Sequence, residues 1–286
     1  MNNASIRWGR GLALALCILA AGCESGADGG GSGRQASGEE PSPALSARVA
    51  LDIADREYAN GDKSGAIMFY RRALTLAPGD RRALLGLGHA LLAAGAPGEA
   101  AKQFRALLAK SPQDPDGEKG LGESLIALDQ PAAAADALRH GVATKPDPRG
   151  FRALGVADDL LGQFPQAAAD YRRGLELAPN DVSLRNDLGL SQALAGDFDD
   201  AITILRSIAS APGAPAEYRL NLALALGLAG RRADAERVAR IDLDERSVQS
   251  NLAYYDVLRA LPATERARIL LRGPSTNESA PSANGQ

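Results

Sequence analysis

The sequence predicts an all-α protein: a superhelical solenoid of about six helix-turn-helix repeats, closed by a C-terminal capping helix. Two observations carry that reading. Small residues return at a fixed phase: Gly88, Gly122, Gly155 and Gly189 are spaced 34, 33 and 34 residues apart, and Gly196 and Gly230 again 34 apart. Such a period belongs to stacked two-helix units. Composition agrees, because aromatics make up only 4% of 286 residues, Ala, Leu and Gly dominate, and β-branched runs are scarce. Thin helices packed closely suit that composition better than a sheet.

At the N-terminus, Arg7 and Arg10 precede an apolar run over residues 11–21 that ends in Ala20-Ala21-Gly22-Cys23. A basic start, a short apolar stretch and small residues before a cut predict a secretory signal peptide over residues 1–22. The run is too short for a spanning helix of about 20 apolar residues. Small residues followed directly by cysteine resemble the lipobox of bacterial lipoproteins, with one departure: Ala20 stands where that family usually has Leu, and Leu19 lies one position earlier. The resemblance implies a lipidated Cys23 as the mature N-terminus. Glu24, rather than Asp, implies transfer to the outer membrane, facing the periplasm. Residues 23–43 then read as the lipidated cysteine and a flexible Gly/Ser-rich tether, with a reach of roughly 25 Å. Cys17 and Cys23 are the only cysteines, so the folded part has no thiol for a disulfide, a zinc site or a nucleophile.

The repeats follow in order. Residues 47–80 carry Gly61-Asp62 at a turn, then Ala66, Tyr70, Ala73 and Pro78; residues 81–114 carry Gly88, Gly95, Ala100, Phe104 and Pro112. Residues 115–147 carry Gly122, Ala134, Leu138, Gly141 and Pro146; residues 148–181 carry Gly155, Gly162, Ala167, Tyr171, Gly174 and Pro179. Small residues where two helices touch, a large one between them and a proline at the end resemble tetratricopeptide repeats. A glycine inside a helix costs roughly 0.8–1.0 kcal/mol relative to alanine, so glycines held at one phase imply close backbone approach. Each proline stops the second helix of its unit. The one-residue contraction falls at Lys145-Pro146-Asp147-Pro148, in a loop. A fifth unit spans 182–215 and a sixth starts at 216. Beyond Arg240 the phase fades, and residues 247–260 and 264–271 read as a capping helix and a short following one. The repeat domain with its cap is thus expected over 44–271, and residues 272–286 as a disordered tail.

Chemistry is sparse. A net charge of −3 with dispersed arginines gives no case for nucleic acid. His89 and His140 fall in different units with no carboxylate spacing for a metal site. Asp158-Asp159 and Asp199-Asp200 are adjacent carboxylates whose side chains diverge on a helix; they read as solvated faces. Gly61-Asp62-Lys63-Ser64 lacks the glycines of a phosphate loop and reads as a repeat turn. No catalytic residue, metal, cofactor or small-molecule substrate is therefore expected. What remains is a surface, since first helices of such repeats line the concave side and grip a peptide or helix from a protein partner. The phase places there Arg82, Leu85 and His89 of the second unit, Arg149 and Arg152 of the fourth, and Asn186 and Leu190 of the fifth. Leu220, Asn221 and Leu224 of the sixth join them. Asn221 stands where many tetratricopeptide repeats carry an amide that bonds the backbone of a bound peptide.

A narrower resemblance rests on Leu188-Gly189-Leu190, Ala195-Gly196-Asp197, Ala201-Ile202, Leu205-Arg206 and Pro212-Gly213. It continues through residues 219–226, Leu228-Ala229-Gly230-Arg231, Asp242-Leu243 and residues 251–255. This pattern is similar to TadD, the tetratricopeptide-repeat lipoprotein of the tight-adherence (Flp-type) pilus system. The resemblance implies a pilotin-like assembly factor that binds a secretin or other pilus-assembly component through a segment in the concave groove. The alternative is a periplasmic adaptor lipoprotein that recruits cell-wall hydrolases or other envelope proteins. An enzyme acting through concave carboxylates lacks a convincing constellation.

Overall fold

Proline and aspartate punctuate this chain together, and the helices follow that punctuation. A computed structural model describes residues 43–272; the expected signal peptide, Cys23, nearly all of the tether and the tail from 273 lie outside the described residues. The first helices are α1 (Pro43–Ala59), α2 (Lys63–Leu76), α3 (Arg81–Ala93) and α4 (Pro97–Lys110). Next come α5 (Pro115–Ala127), α6 (Pro131–Thr144), α7 (Pro148–Leu160), α8 (Phe164–Leu177), α9 (Val182–Ala195) and α10 (Phe198–Ala209). The last are α11 (Ala216–Leu228), α12 (Arg232–Ala239), α13 (Glu245–Ala260) and α14 (Ala263–Arg272). No strand occurs among the described residues.

Where Pro78, Pro112, Pro146 and Pro179 end a helix pair, Asp80, Asp114, Asp147 and Asp181 cap the next helix. Each carboxylate accepts the amide proton three residues on, from Ala83, Gly117, Gly150 and Leu184 at 2.8–3.0 Å. Such a cap is worth about 1 kcal/mol. The contraction at Pro146-Asp147-Pro148 keeps both signals: Asp147 caps α7, and Pro148 occupies its first turn, where a missing amide proton does no harm.

The described helices fall into two compact units, residues 43–110 and residues 111–272. In the first, the α1–α2 hairpin packs on the α3–α4 hairpin. In the second, four hairpins (α5–α6, α7–α8, α9–α10, α11–α12) stack in sequence, with α5, α7, α9 and α11 side by side. The α13 helix packs on α11 and α12 as the next first helix would.

The phased glycines turn out to receive side chains rather than backbone. A Cβ on Gly88 would stand 2.5 Å from Phe104, on Gly122 2.4 Å from Leu138, on Gly155 2.6 Å from Tyr171, and on Gly189 2.8 Å from Leu205. Each partner lies 16 residues later, on the second helix of the same unit, and each is fully buried. First helices supply the hole and second helices the knob. In the sixth unit the phased position is Ala223, and the residue 16 later, Ala239, is the last of α12; both are fully buried. A further glycine of α11, Gly227, receives Tyr255 of α13, 2.5 Å from the position of an added Cβ, so the packing continues into the capping helix.

Candidate partner-binding face

Of the expected groove residues, Arg82, Leu85 and His89 lie on α3 in the first unit. Arg82 pairs with Asp52 (2.9 Å) and Asp55 of α1, and Asp55 also accepts the Tyr70 hydroxyl. His89 sets its ring edge-on to Phe104, with centroids 5.3 Å apart. Leu85 is half-buried. These residues brace three helices of their own unit and still present partly exposed surface.

The remaining residues lie on α7, α9 and α11, which are neighbours in the second unit. A polar chain crosses the three helices. Arg152 donates to the Asp187 carboxylate, Asn186 Nδ2 donates to Asp187 Oδ1 at 3.3 Å, and Asn221 Nδ2 donates to Asn186 Oδ1 at 2.8 Å. Arg152 and Asn186 stand one 34-residue period apart, and Asn221 lies 35 residues beyond Asn186, one position past the period. Burial pushes the Asp187 carboxyl up, and the Arg152 charge and its hydrogen bond hold it down.

Beside the ladder lies a second carboxylate system. Asp159 is fully buried and accepts hydrogen bonds from the Tyr171 hydroxyl (2.9 Å) and the Ser191 hydroxyl (2.6 Å). Burial pushes its pKa up to about 8 against those two hydrogen bonds. Asp158 accepts from Arg139 at 3.2 Å. Asp170, raised to about 6 first by burial and then by Asp158, shares a hydrogen bond with it. The expectation that Asp158-Asp159 forms a solvated face is therefore corrected: both carboxylates are buried, each with its own partners. Asp199 and Asp200 are exposed in the first turn of α10. Among the described residues no cluster of His, Cys, Asp and Glu could hold a metal.

The face itself is not the open floor expected. Asn186, Leu190, Asn221 and Leu224 are at most 2% exposed. Arg149 remains exposed, Arg152 and Leu220 partly so. On α11 the neighbours include α13, and over α7 and α9 the cover is the helix that follows it. After α13 the chain turns back and lays α14 on α7 and α9, placing Thr264 against Gly162. Ala267 and Leu270 enter the same apolar cluster as Leu190, Leu194 and Leu224. Burying one leucine contributes roughly 1.5–3 kcal/mol, so a few apolar side chains hold the helix in place. At 10 residues, α14 is too short to be stable alone in water; packing makes it a helix.

The sequence carried a signal for this cover. Residues 221–228 of α11 are buried without exception, as are residues 186–194 of α9. A helix that is apolar on every side is covered on every side, and Asn221-Leu222-Ala223-Leu224-Ala225-Leu226 has no polar face to leave in water. What the local pattern could not give was where the short helix expected over 264–271 would lie, because α14 is more than 60 residues from α9 and belongs to no repeat.

Comparison with known proteins agrees with this architecture. Two profiles of the tetratricopeptide-repeat family match, one over residues 51–115 and 160–215, the other over 91–155; together they cover more than half of the chain. No curated protein matches it significantly. Among solved structures, it is similar to PilW, described as a widely conserved type IV pilus biogenesis factor. That match has a TM-score of 0.62 and 21% identity, covering 72% of this chain and 98% of the other. PilF of Pseudomonas aeruginosa gives a TM-score of 0.59 at 17% identity, covering 73% and 97%. A thermophilic tetratricopeptide-repeat protein of Thermus thermophilus gives 0.53 at 23% identity, covering 63% and 98%. At these identities the likeness is one of fold. Helix pairs of one period, knobs from second helices set into glycine holes of first helices, and family profiles that span the repeats together show that the chain belongs to the tetratricopeptide-repeat proteins.

Proposed function

We propose that this chain is a lipid-anchored, non-enzymatic scaffold that binds a component of the Flp/Tad pilus secretion machinery and assists its outer-membrane assembly or localisation. The observation that carries the binding role is the seating of α14 on α7 and α9: the inner face of these first helices accepts a helix. Tetratricopeptide proteins typically act as protein-interaction scaffolds, and the buried carboxylates here are spent on internal hydrogen bonds. The pilus assignment is supported by the C-terminal sequence pattern, and by the fold shared with PilW, itself described as a pilus biogenesis factor. The anchor is supported by Gly22-Cys23 and the Gly/Ser-rich stretch after it. Attachment through several acyl chains is effectively permanent, whereas one chain holds only marginally.

The test is affinity purification of the full chain from membranes, comparing the wild type with Cys23→Ser. Secretin or pilus-assembly proteins retained by the wild type and lost or mislocalised with Cys23→Ser are expected. Cell-wall hydrolases in their place would move the function to envelope-enzyme recruitment.

A further inference from the structure

Three features of the C-terminal helix bear on one another. Its apolar side is narrow: Ala267 and Leu270 are buried, Ala263, Ile269 and Leu271 partly so, and Thr264, Glu265 and Arg268 are exposed. This is the i, i+4, i+7 spacing with which an amphipathic helix lies in a groove. Arg266 on this helix is buried and donates to the carbonyl oxygens of Leu258 and Leu261, both at 3.1 Å, and among the described residues no carboxylate pairs with it. A buried charge without a counter-ion works against the position that holds it.

We infer that the face of α7 and α9 is a helix-receiving site, and that α14 is its resident occupant, displaced when a partner presents an amphipathic helix. The ligand class is a helix with small or apolar residues spaced as Ala263, Ala267 and Leu270 are. The inference deepens the scaffold reading and rests on it only for the claim that a protein segment binds this face; the pilus assignment plays no part. Because α14 is tethered by the short Leu261-Pro262 link, its effective concentration at the site is on the order of millimolar or more. A free helix then binds the closed chain with an affinity reduced by the small fraction that is open.

The probe is a fluorescent synthetic peptide of residues 261–272, titrated into the full chain and read by anisotropy. Ala267→Glu places a charge at a fully buried position of α14 and releases it; Leu270→Glu is the second release variant. Both are expected to keep the helical circular dichroism of the remaining repeats and to bind the peptide at least tenfold tighter than the wild type. Equal affinity in wild type and release variants would overturn the inference. So would cooperative loss of helix signal in both variants, which would make α14 an integral part of the core. The assay contains no pilus protein, so it can succeed where the pilus reading fails, and the reverse.

Discussion

Asn221 Nδ2 donates to Asn186 Oδ1 at 2.8 Å, joining α11 to α9 inside a closed face. Two residues 35 positions apart, both open to a partner in the sequence reading, bond each other. Asn186→Ala removes that acceptor and the amide donor to Asp187, leaving buried polar atoms unpartnered. The expected destabilisation is about 1–3 kcal/mol, read as a lower urea midpoint at unchanged slope. A midpoint equal to the wild type would show that neither amide is needed inside the fold.

The glycine holes give a paired prediction. Gly155→Ala puts a methyl 2.6 Å from the buried Tyr171 ring, and such overpacking costs about 1–3 kcal/mol. Gly98→Ala, in the first turn of α4 with nothing within 4 Å of an added Cβ, should be neutral or stabilise by up to about 1 kcal/mol. Thermal melts of the two variants should move in opposite directions, or only the first should fall. Equal melting temperatures would mean the ring does not sit in the glycine hole.

Arg152 and Arg71 test burial against exposure. Arg152→Ala strands the buried carboxylate of Asp187, a loss of about 3–5 kcal/mol when a buried pair is broken. Arg71→Ala breaks a 2.8 Å pair with Glu99 in which both side chains are more than half exposed, and should cost less than about 1 kcal/mol. Chemical denaturation of both separates them; comparable losses would contradict the buried ladder.

Asp159 sets a pH dependence of definite sign. Its carboxyl ionises near 3.8 in the unfolded chain but holds its proton to about 8 in the fold. Between those values the folded state carries one more proton, so stability is full below pH 4 and falls as pH rises, by up to about 1.4 kcal/mol per unit. It levels off above pH 8. Asp158 and Asp170, also raised by burial, add in the same direction, while Asp147, whose pKa is lowered, acts oppositely at its acid end. Asp159→Asn should flatten the decline between pH 5 and 8 in urea titrations. An unchanged slope would place the proton elsewhere.

The fold was legible because its determinants are local and repeated. Pro78 with Asp80 and Pro179 with Asp181 mark helix boundaries within a few residues, and the 34-residue return of glycines marks which helices pair. The site was less legible. Arg152, Asn186 and Asn221 are joined through Asp187 in one line of hydrogen bonds, yet exposure depends on what lies over that line, and no repeat encodes α14. Asp158 and Asp159 misled for a related reason: adjacency told that the side chains diverge, while their burial comes from Tyr171, Ser191 and Arg139 on other helices.

The measurement that bears most directly on the covered face is a disulfide trap between α14 and the turn after α7. A Cβ on Gly162 would lie 3.6 Å from that of Thr264, within the separation a disulfide spans. In the full chain with Cys17 and Cys23 replaced by Ser, the pair Gly162→Cys and Thr264→Cys should close within one molecule under mild oxidation. Both thiols should become protected from alkylation until reduced. Thiols that stay fully reactive, or that join only between molecules, would show that α14 does not lie on α7 and α9.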